Sequence, residues 1–213
     1  MGYIPALRFA SLTGFYDSLV RLTLKEERFK RQLVAAAGLR AGDRVLDVGC
    51  GTATLTILLK QACPDATVVG LDGDPKVLAI AAAKIRRAGL DIELQEGLAS
   101  EAPFAPATFD RVVSSLVFHH LATDEKRRTL QRIRTLLRPG GELHVADWGK
   151  AQNVAMRTAF IAVQLLDGFA TTADNVQGLL PVLMAEAGFE SVVETHRQNT
   201  VFGTLSFYRA VAP

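Results

Sequence analysis

From about position 40 to the C-terminus, short apolar runs alternate with segments whose apolar residues recur every three or four positions. The runs are Val45 to Val48, Val68 to Asp72, Ile92 to Gln95, Asp110 to Phe118 and Glu142 to Asp147, and each predicts a strand. The fourth is nearly continuous in apolar character, as expected of a strand covered on both faces. Between them lie helical patterns. Asp74-Pro75 starts one, with aspartate as cap and proline in the first turn; Val77, Ala81, Ile85 and Ala88 follow at helical spacing, and Gly89 closes it. Another begins at Thr123, with Leu130, Ile133 and Leu137 on its inner face, before Pro139-Gly140-Gly141 turns the chain into the fifth strand. Ser18 to Ala37 reads as a helix with a basic, exposed side (Arg21, Lys25, Arg28, Lys30, Arg31). Helical patterns over Gln152 to Gly168 and Ala173 to Ala187 precede a hairpin of Phe189 to Glu194 and Phe202 to Val211. The alternation predicts an α/β sheet with helices on both faces.

The first run carries an unusual continuation: Val45-Leu46-Asp47-Val48-Gly49-Cys50-Gly51-Thr52-Ala53. Gly49 and Gly51 allow a sharp turn and close approach to a ligand. Thr52 is placed to cap the next helix, whose N-terminus offers free N–H groups and a positive dipole end. The second run ends in Asp72, about 20 residues on, as in a βαβ unit whose second strand sets a carboxylate against a ribose diol. A nicotinamide fingerprint would need glycine at position 54, where Thr54 stands. Asp47, two places before the first glycine, is awkward for a diphosphate because like charges repel, and it suits a ligand bearing an ammonium group. S-adenosylmethionine has an ammonium, a ribose diol and a carboxylate that suits a helix N-terminus.

With these residues the chain resembles the class I S-adenosylmethionine-dependent methyltransferases, most closely the small-molecule branch that includes the ubiquinone and menaquinone biosynthesis enzymes. The family's later landmarks match Phe109-Asp110-Arg111-Val112-Val113-Ser114-Ser115 and Leu137-Arg138-Pro139-Gly140-Gly141-Glu142-Leu143. The resemblance implies a Rossmann-like seven-stranded sheet of order 3-2-1-4-5-7-6, with only the last inserted strand antiparallel. It also implies S-adenosyl-L-methionine as cofactor, with Asp47 serving the methionine ammonium, directly or through water, and Asp72 the ribose hydroxyls. Cofactor contacts are expected at Asp47, Gly49, Cys50, Gly51, Asp72, Gly73, Leu98, Ala99 and Ser114. Two positions depart from the family pattern. Ala53 stands where a third glycine is common, and Leu98 stands where an acid often holds the adenine amino group, leaving only the backbone N–H groups of Leu98 and Ala99 for the ring.

Ligands in open α/β sheets bind beyond the carboxyl ends of the strands, which brings Phe118-His119-His120-Leu121 and Ala146-Asp147-Trp148 to one pocket. Methyl transfer is an in-line displacement, so positioning and water exclusion dominate. A base is needed only for a hydroxyl, an acidic carbon or a protonated amine. His119 and His120 are the candidates; adjacent residues leaving a strand point to opposite sides, so only one is expected to face the pocket, with a structural histidine as the plainer reading. Asp147 is a second base, a substrate ligand or a cap; Trp148 stacks on the acceptor, covers the cofactor or packs beneath the lid. Related enzymes cover the cofactor with a tyrosine from the N-terminal segment, which here is Tyr16 in Phe15-Tyr16-Asp17. No convincing set of metal ligands is expected, and no Pro-Pro element of the amino-methylating DNA enzymes follows the fourth strand.

The 213 residues, 49% hydrophobic and 22% charged, suit one globular unit: a cap over 1–39, a cofactor core over 40–148, lid helices over 149–188 and a C-terminal hairpin over 189–213. The formal net charge of +2 argues against a nucleic-acid partner, and Lys126, Arg127, Arg128, Arg132 and Arg134 read as a solvated helix face. Ala155 to Leu166 is too short and too interrupted to span a bilayer, and Met1 to Ala10 lacks a secretory apolar stretch. Cys50 and Cys63 form no pair motif, so a reducing cytoplasm is expected. The expected activity is methyl transfer to a small, partly apolar acceptor through an oxygen, carbon or nitrogen nucleophile, with Phe118, Trp148 and Phe160 to Val163 as the apolar wall. Oligomeric state stays open. The competing readings are a non-catalytic binding protein for S-adenosylmethionine or S-adenosylhomocysteine, toward which Leu98 leans, and an aminopropyltransferase, whose carboxylate-rich site is not evident over 114–121.

Overall fold

The computed structural model describes residues 26–213. Its elements run α1 (Glu26–Ala37), β1 (Arg44–Val48), α2 (Thr54–Ala62), β2 (Thr67–Asp72), α3 (Pro75–Ala88), β3 (Glu93–Glu96), β4 (Phe109–Ser115), α4 (Thr123–Leu136), β5 (Leu137–Trp148), α5 (Val154–Asp167), α6 (Phe169–Gln177), α7 (Leu180–Glu186), β6 (Glu190–Thr200) and β7 (Gly203–Val211). The strands form one sheet of order β3-β2-β1-β4-β5-β7-β6. β1 pairs in parallel with β2 and β4, and β4 with β5, whereas β7 runs antiparallel to both its neighbours. The expected topology is therefore the one observed. Tyr16, Phe15, Asp17, Arg21 and Lys25 lie outside the described residues.

The sheet separates two cores. Leu46, Val48, Val112 and Val145 face α4 and α7, where Leu130, Ile133, Leu183 and Met184 cover them. Val45, Val68, Val113 and Ala146 face the other way, against Phe29 and Leu33 of α1, Leu55 and Leu59 of α2, and Phe160 and Val163 of α5. Burial on both faces explains why the central strands read as continuous apolar runs. It also singles out Asp47, a carboxylate 1% exposed in the middle of such a run.

Asp74 caps α3 by accepting the Lys76 N–H at 2.8 Å, and Gly89 ends that helix in the left-handed conformation at φ 64°, both as the sequence predicts. Other boundaries move. β3 lies one residue later than expected. β4 stops at Ser115 rather than Phe118, because Leu116 turns to φ 57° and Asp147 takes the N–H groups of Val117 and Phe118, leading the chain into a 3-10 turn over Phe118–His120. Pro139-Gly140-Gly141 lies within β5 at a register shift against β4, where Gly140 donates to Ala212 and Ala212 to Gly141. The helical pattern expected over Ala173 to Ala187 is two helices, since Gly178 at φ 74° ends α6 before α7 begins. β6 extends to Thr200, beyond the predicted Glu194; its largely exposed edge carries little apolar signal.

Two cations assigned to solvated faces are buried. Lys30 on α1 pairs with Glu26 at 2.6 Å. Lys126 on α4 is 0% exposed and bonds Asp174 Oδ2 at 2.9 Å and the Thr171 carbonyl at 2.7 Å. Asp174 also accepts the Thr123 hydroxyl at 2.8 Å. Together these fasten α6 to α4.

Candidate active site

The strand order reverses between β1 and β4, and the cleft beyond their carboxyl ends is where a ligand binds in such a sheet. Gly49 opens the turn after β1 at φ 68°, and a Cβ there would fall 2.3 Å from Val117 Cγ2, so only glycine fits. Gly51 and Ala53 are also left-handed, at φ 54° and 61°. The helix starts at Thr54 with Ala53 as its N-cap residue and no side-chain capping bond. Thr52 is thus not the cap that the sequence suggests: three left-handed residues in alternation carry the turn one position further. At Ala53 the departure from glycine puts an L side chain in a region costing about 1 kcal/mol.

Asp72 holds this loop in place. Its Oδ2 accepts the Gly51 N–H at 2.9 Å and its Oδ1 the Asp74 N–H at 3.0 Å. A carboxylate has about four acceptor sites, so both oxygens keep capacity for two ribose hydroxyls. Gly73 lies between these two anchors, half-buried. Gly97 donates to the Asp72 carbonyl at 3.0 Å, and Leu98, 42% exposed, follows directly as an apolar surface suited to a flat ring; Ala99 begins a 3-10 turn packed on the core.

Asp47 accepts the Thr56 hydroxyl at 2.7 Å. Burial pushes its pKa up to about 6, against the Thr56 bond and the charge of Lys30, which pull it down. An ammonium brought near would favour its charged form, and a diphosphate would not. The Cys50 thiol lies over β2, where a Cβ on Gly70 would come 3.0 Å from Sγ, and burial pushes its pKa up, so it is an inert packing group. The Cys50 N–H is directed at the Leu71 carbonyl. Ser114 is buried and donates to the Val48 carbonyl at 3.0 Å, linking β4 to β1.

At the ends of β4 and β5 a second cluster forms. Asp147 is fully buried; Oδ2 accepts the N–H groups of Val117 and Phe118 at 3.1 and 2.7 Å, and Oδ1 accepts Trp148 N–H and His119 Nδ1–H, both at 2.7 Å. Burial would raise its pKa, but His119 and these bonds hold it below the usual carboxylate range. For His119 burial alone would lower the pKa; the charge and hydrogen bond of Asp147, then Asp167, outweigh it and the net shift is upward. His119 Nε2 faces Asp167 Oδ2 at 3.6 Å, and His120 Nδ1 faces Asp167 Oδ1 at 3.8 Å. Burial and the neighbouring His119 take His120 down to about 3, so it is neutral. The expectation that the two histidines point to opposite sides is corrected: they sit on a 3-10 turn, not a strand, and their rings lie 3.9 Å apart, both toward Asp167.

Trp148 is buried against Phe160 of α5, with centroids 5.4 Å apart. Phe118, Phe160 and Val163 are core residues as well, so they do not form the apolar wall expected of them. Asn175 binds the Trp148 carbonyl at 2.7 Å. Asp167, Asn175 and Thr56 escaped the sequence reading; the only hint was polar residues within otherwise apolar helical patterns.

The fold and the paired carboxylates around a glycine turn define a protein built to hold an adenosine-type sulfonium cofactor. The methyltransferase domain family matches residues 45–141. The chain is 30% identical to the demethylmenaquinone methyltransferase of Symbiobacterium thermophilum, over 94% of this chain and 89% of that one. It is 36% identical to the enzyme of the same name from Thermus thermophilus, over 66% of this chain and 64% of the relative. A S-adenosylmethionine-dependent methyltransferase from Aquifex aeolicus has the same fold, with TM-score 0.66 and 18% identity over 86% of this chain and 89% of that one. The chain belongs to the class I S-adenosylmethionine-dependent methyltransferases, a family of enzymes.

Proposed function

We propose that this enzyme methylates a small, partly apolar acceptor at an oxygen, carbon or nitrogen by in-line displacement. The observation that carries the reading is the placement of Asp47 in β1 and Asp72 at the end of the neighbouring β2, beside the Gly49–Gly51 turn that Asp72 holds, with the Asp147 cluster at the ends of β4 and β5 on the other side of the strand-order reversal. When bound, S-adenosylmethionine supplies an electrophilic methyl group on a sulfonium. Asp47 attracts the ammonium, Asp72 accepts from the ribose diol, and Leu98 with Ala99 supports the adenine. These roles for Asp47 and Asp72 are the ones the resemblance implies; the part proposed for His119 differs. Clamped by Asp147 and facing Asp167, it positions the end of β4 and orients the partly exposed His120 toward the acceptor's polar atom.

Support for an apolar acceptor comes from the lid, where α5 and the start of α6 leave Ile161, Leu165 and Phe169 exposed. Demethylmenaquinone, named for the relatives, is the first acceptor to try. Two free cysteines fit a reducing cytoplasm, and no helix among the described residues is long and apolar enough to cross a membrane. The test is transfer of labelled methyl from S-adenosylmethionine to a panel of quinols, phenols and amines. Turnover with one class, abolished by Asp72→Ala, supports the proposal; cofactor binding without turnover on any class counts against it.

A further inference from the structure

We infer that His119, His120 and Asp167 form a binding site for a divalent transition-metal ion of the zinc class, a site that the sequence did not lead one to expect. One donor atom from each of the three residues lies within 4.8 Å of the other two. The imidazole-to-carboxylate distances are 3.6 and 3.8 Å. These distances run to different oxygens of Asp167; tetrahedral zinc, with bonds near 2.0–2.2 Å, needs donors about 3.3 Å apart, so one carboxylate oxygen and the two imidazole nitrogens, which lie within 4.8 Å of one another, would draw together around the ion. Two imidazoles and one carboxylate are donors that zinc, cobalt and iron accept, and three protein ligands with a fourth position open is the arrangement of a catalytic rather than a structural ion.

The surroundings support the assignment independently of the donor spacing. His119 donates Nδ1–H to Asp147 at 2.7 Å, which fixes its tautomer and turns Nε2 toward Asp167. This carboxylate–histidine relay is the usual orienting contact behind a metal-bound imidazole. Asp147 is itself held by the N–H groups of Val117, Phe118 and Trp148. Asp167 is the last residue of α5, and Gly168 at φ 100° turns the chain away immediately after it. Trp148 stands edge-on to His119, with centroids 6.3 Å apart, and walls the site from the core. The side chain of His120 is 30% exposed, so the fourth coordination position opens on its side. An oxygen of the acceptor would take that position; this last step alone rests on the methyl-transfer reading.

The test uses untagged, chelator-treated full-length protein titrated with Co2+ and then Zn2+, without cofactor or acceptor, so that failure of the methyl-transfer reading leaves it intact. One equivalent of Co2+ should bind, with visible d–d bands of a tetrahedral or five-coordinate ion, and Zn2+ should displace it. His120→Ala and Asp167→Asn, checked for folding by circular dichroism, should lose more than about 100-fold in affinity, and Asp147→Asn about 10- to 100-fold. X-ray absorption of the wild-type zinc form should show nitrogen and oxygen donors and no sulfur, a readout that holds even if a variant fails to fold. Absence of one-equivalent binding, unchanged affinity in folded His120→Ala and Asp167→Asn, or a sulfur donor would each overturn the assignment.

Discussion

If Asp47 receives the ammonium of the cofactor, binding should weaken in mild acid by an amount set by its burial. The carboxyl titrates at about 6 in the free protein, against an ordinary 3.8. Only the ionised form attracts the ammonium, so the apparent affinity scales with the ionised fraction. At pH 7.5 that fraction is nearly one; at pH 5 it is about one part in eleven, which predicts an about 10-fold weaker apparent Kd, or about 1.4 kcal/mol. S-adenosylhomocysteine, which carries the same ammonium, is the convenient ligand for calorimetry at pH 5, 6 and 7.5. Near pH 6, binding should also release about half a proton, read as a dependence of the heat on buffer ionisation enthalpy. Asp47→Asn should bind weakly and with a flatter profile. The same group predicts stability. Its folded pKa is raised, so its stabilising contribution is complete below about 4 and is lost as the pH rises through about 6. The loss is up to about 3 kcal/mol. Asp47→Asn should therefore melt several degrees higher than the wild type at pH 7.5 while binding less ligand. Affinity constant from pH 5 to 7.5, with no proton released, would refute the placement of Asp47 against the ammonium.

Gly49→Ala should be destabilised by about 2 kcal/mol or more and lose cofactor binding, since it combines a left-handed backbone with a Cβ 2.3 Å from Val117; thermal melts beside a binding titration check both. Leu98→Asp restores the acid common in the family at an exposed position and should tighten cofactor binding about 10-fold with the melting temperature unchanged, as measured by calorimetry. Lys126→Met leaves Asp174 buried beside the Thr123 hydroxyl and should cost about 3 kcal/mol; faster hydrogen exchange over α6 than over β1 would show the loss to be local to α6.

The parts of the site legible in the sequence are those made by one local unit. Gly49, Gly51 and Asp72 belong to consecutive strands of a βαβ turn, so spacing alone brings them together, and backbone strain at Gly49 leaves no alternative residue. Lys30 and Lys126 were misread for a related reason. Helical periodicity assigns a face, but their burial is decided by what covers the face: Glu26 one turn away for Lys30, and α6, nearly fifty residues downstream, for Lys126. The edge strand β6 was underestimated because exposure on most of its length removes the alternation from which strands are recognised.

The histidine cluster marks where local reading stops. Periodicity carried β4 through Phe118, which would have sent His119 and His120 to opposite faces. What ends the strand is Asp147, paired in sequence with nothing nearby, whose carboxylate captures the two N–H groups that a longer strand would have directed at its neighbour. The same carboxylate then orients His119, and Asp167 at the end of α5 arrives from a third element to face both rings. One side chain thus sets the backbone path, the tautomer and the donor geometry together. A change at Asp147 should therefore disturb β4, His119 and any bound ion in concert, whereas a change at His120 should reach only the ion and the acceptor.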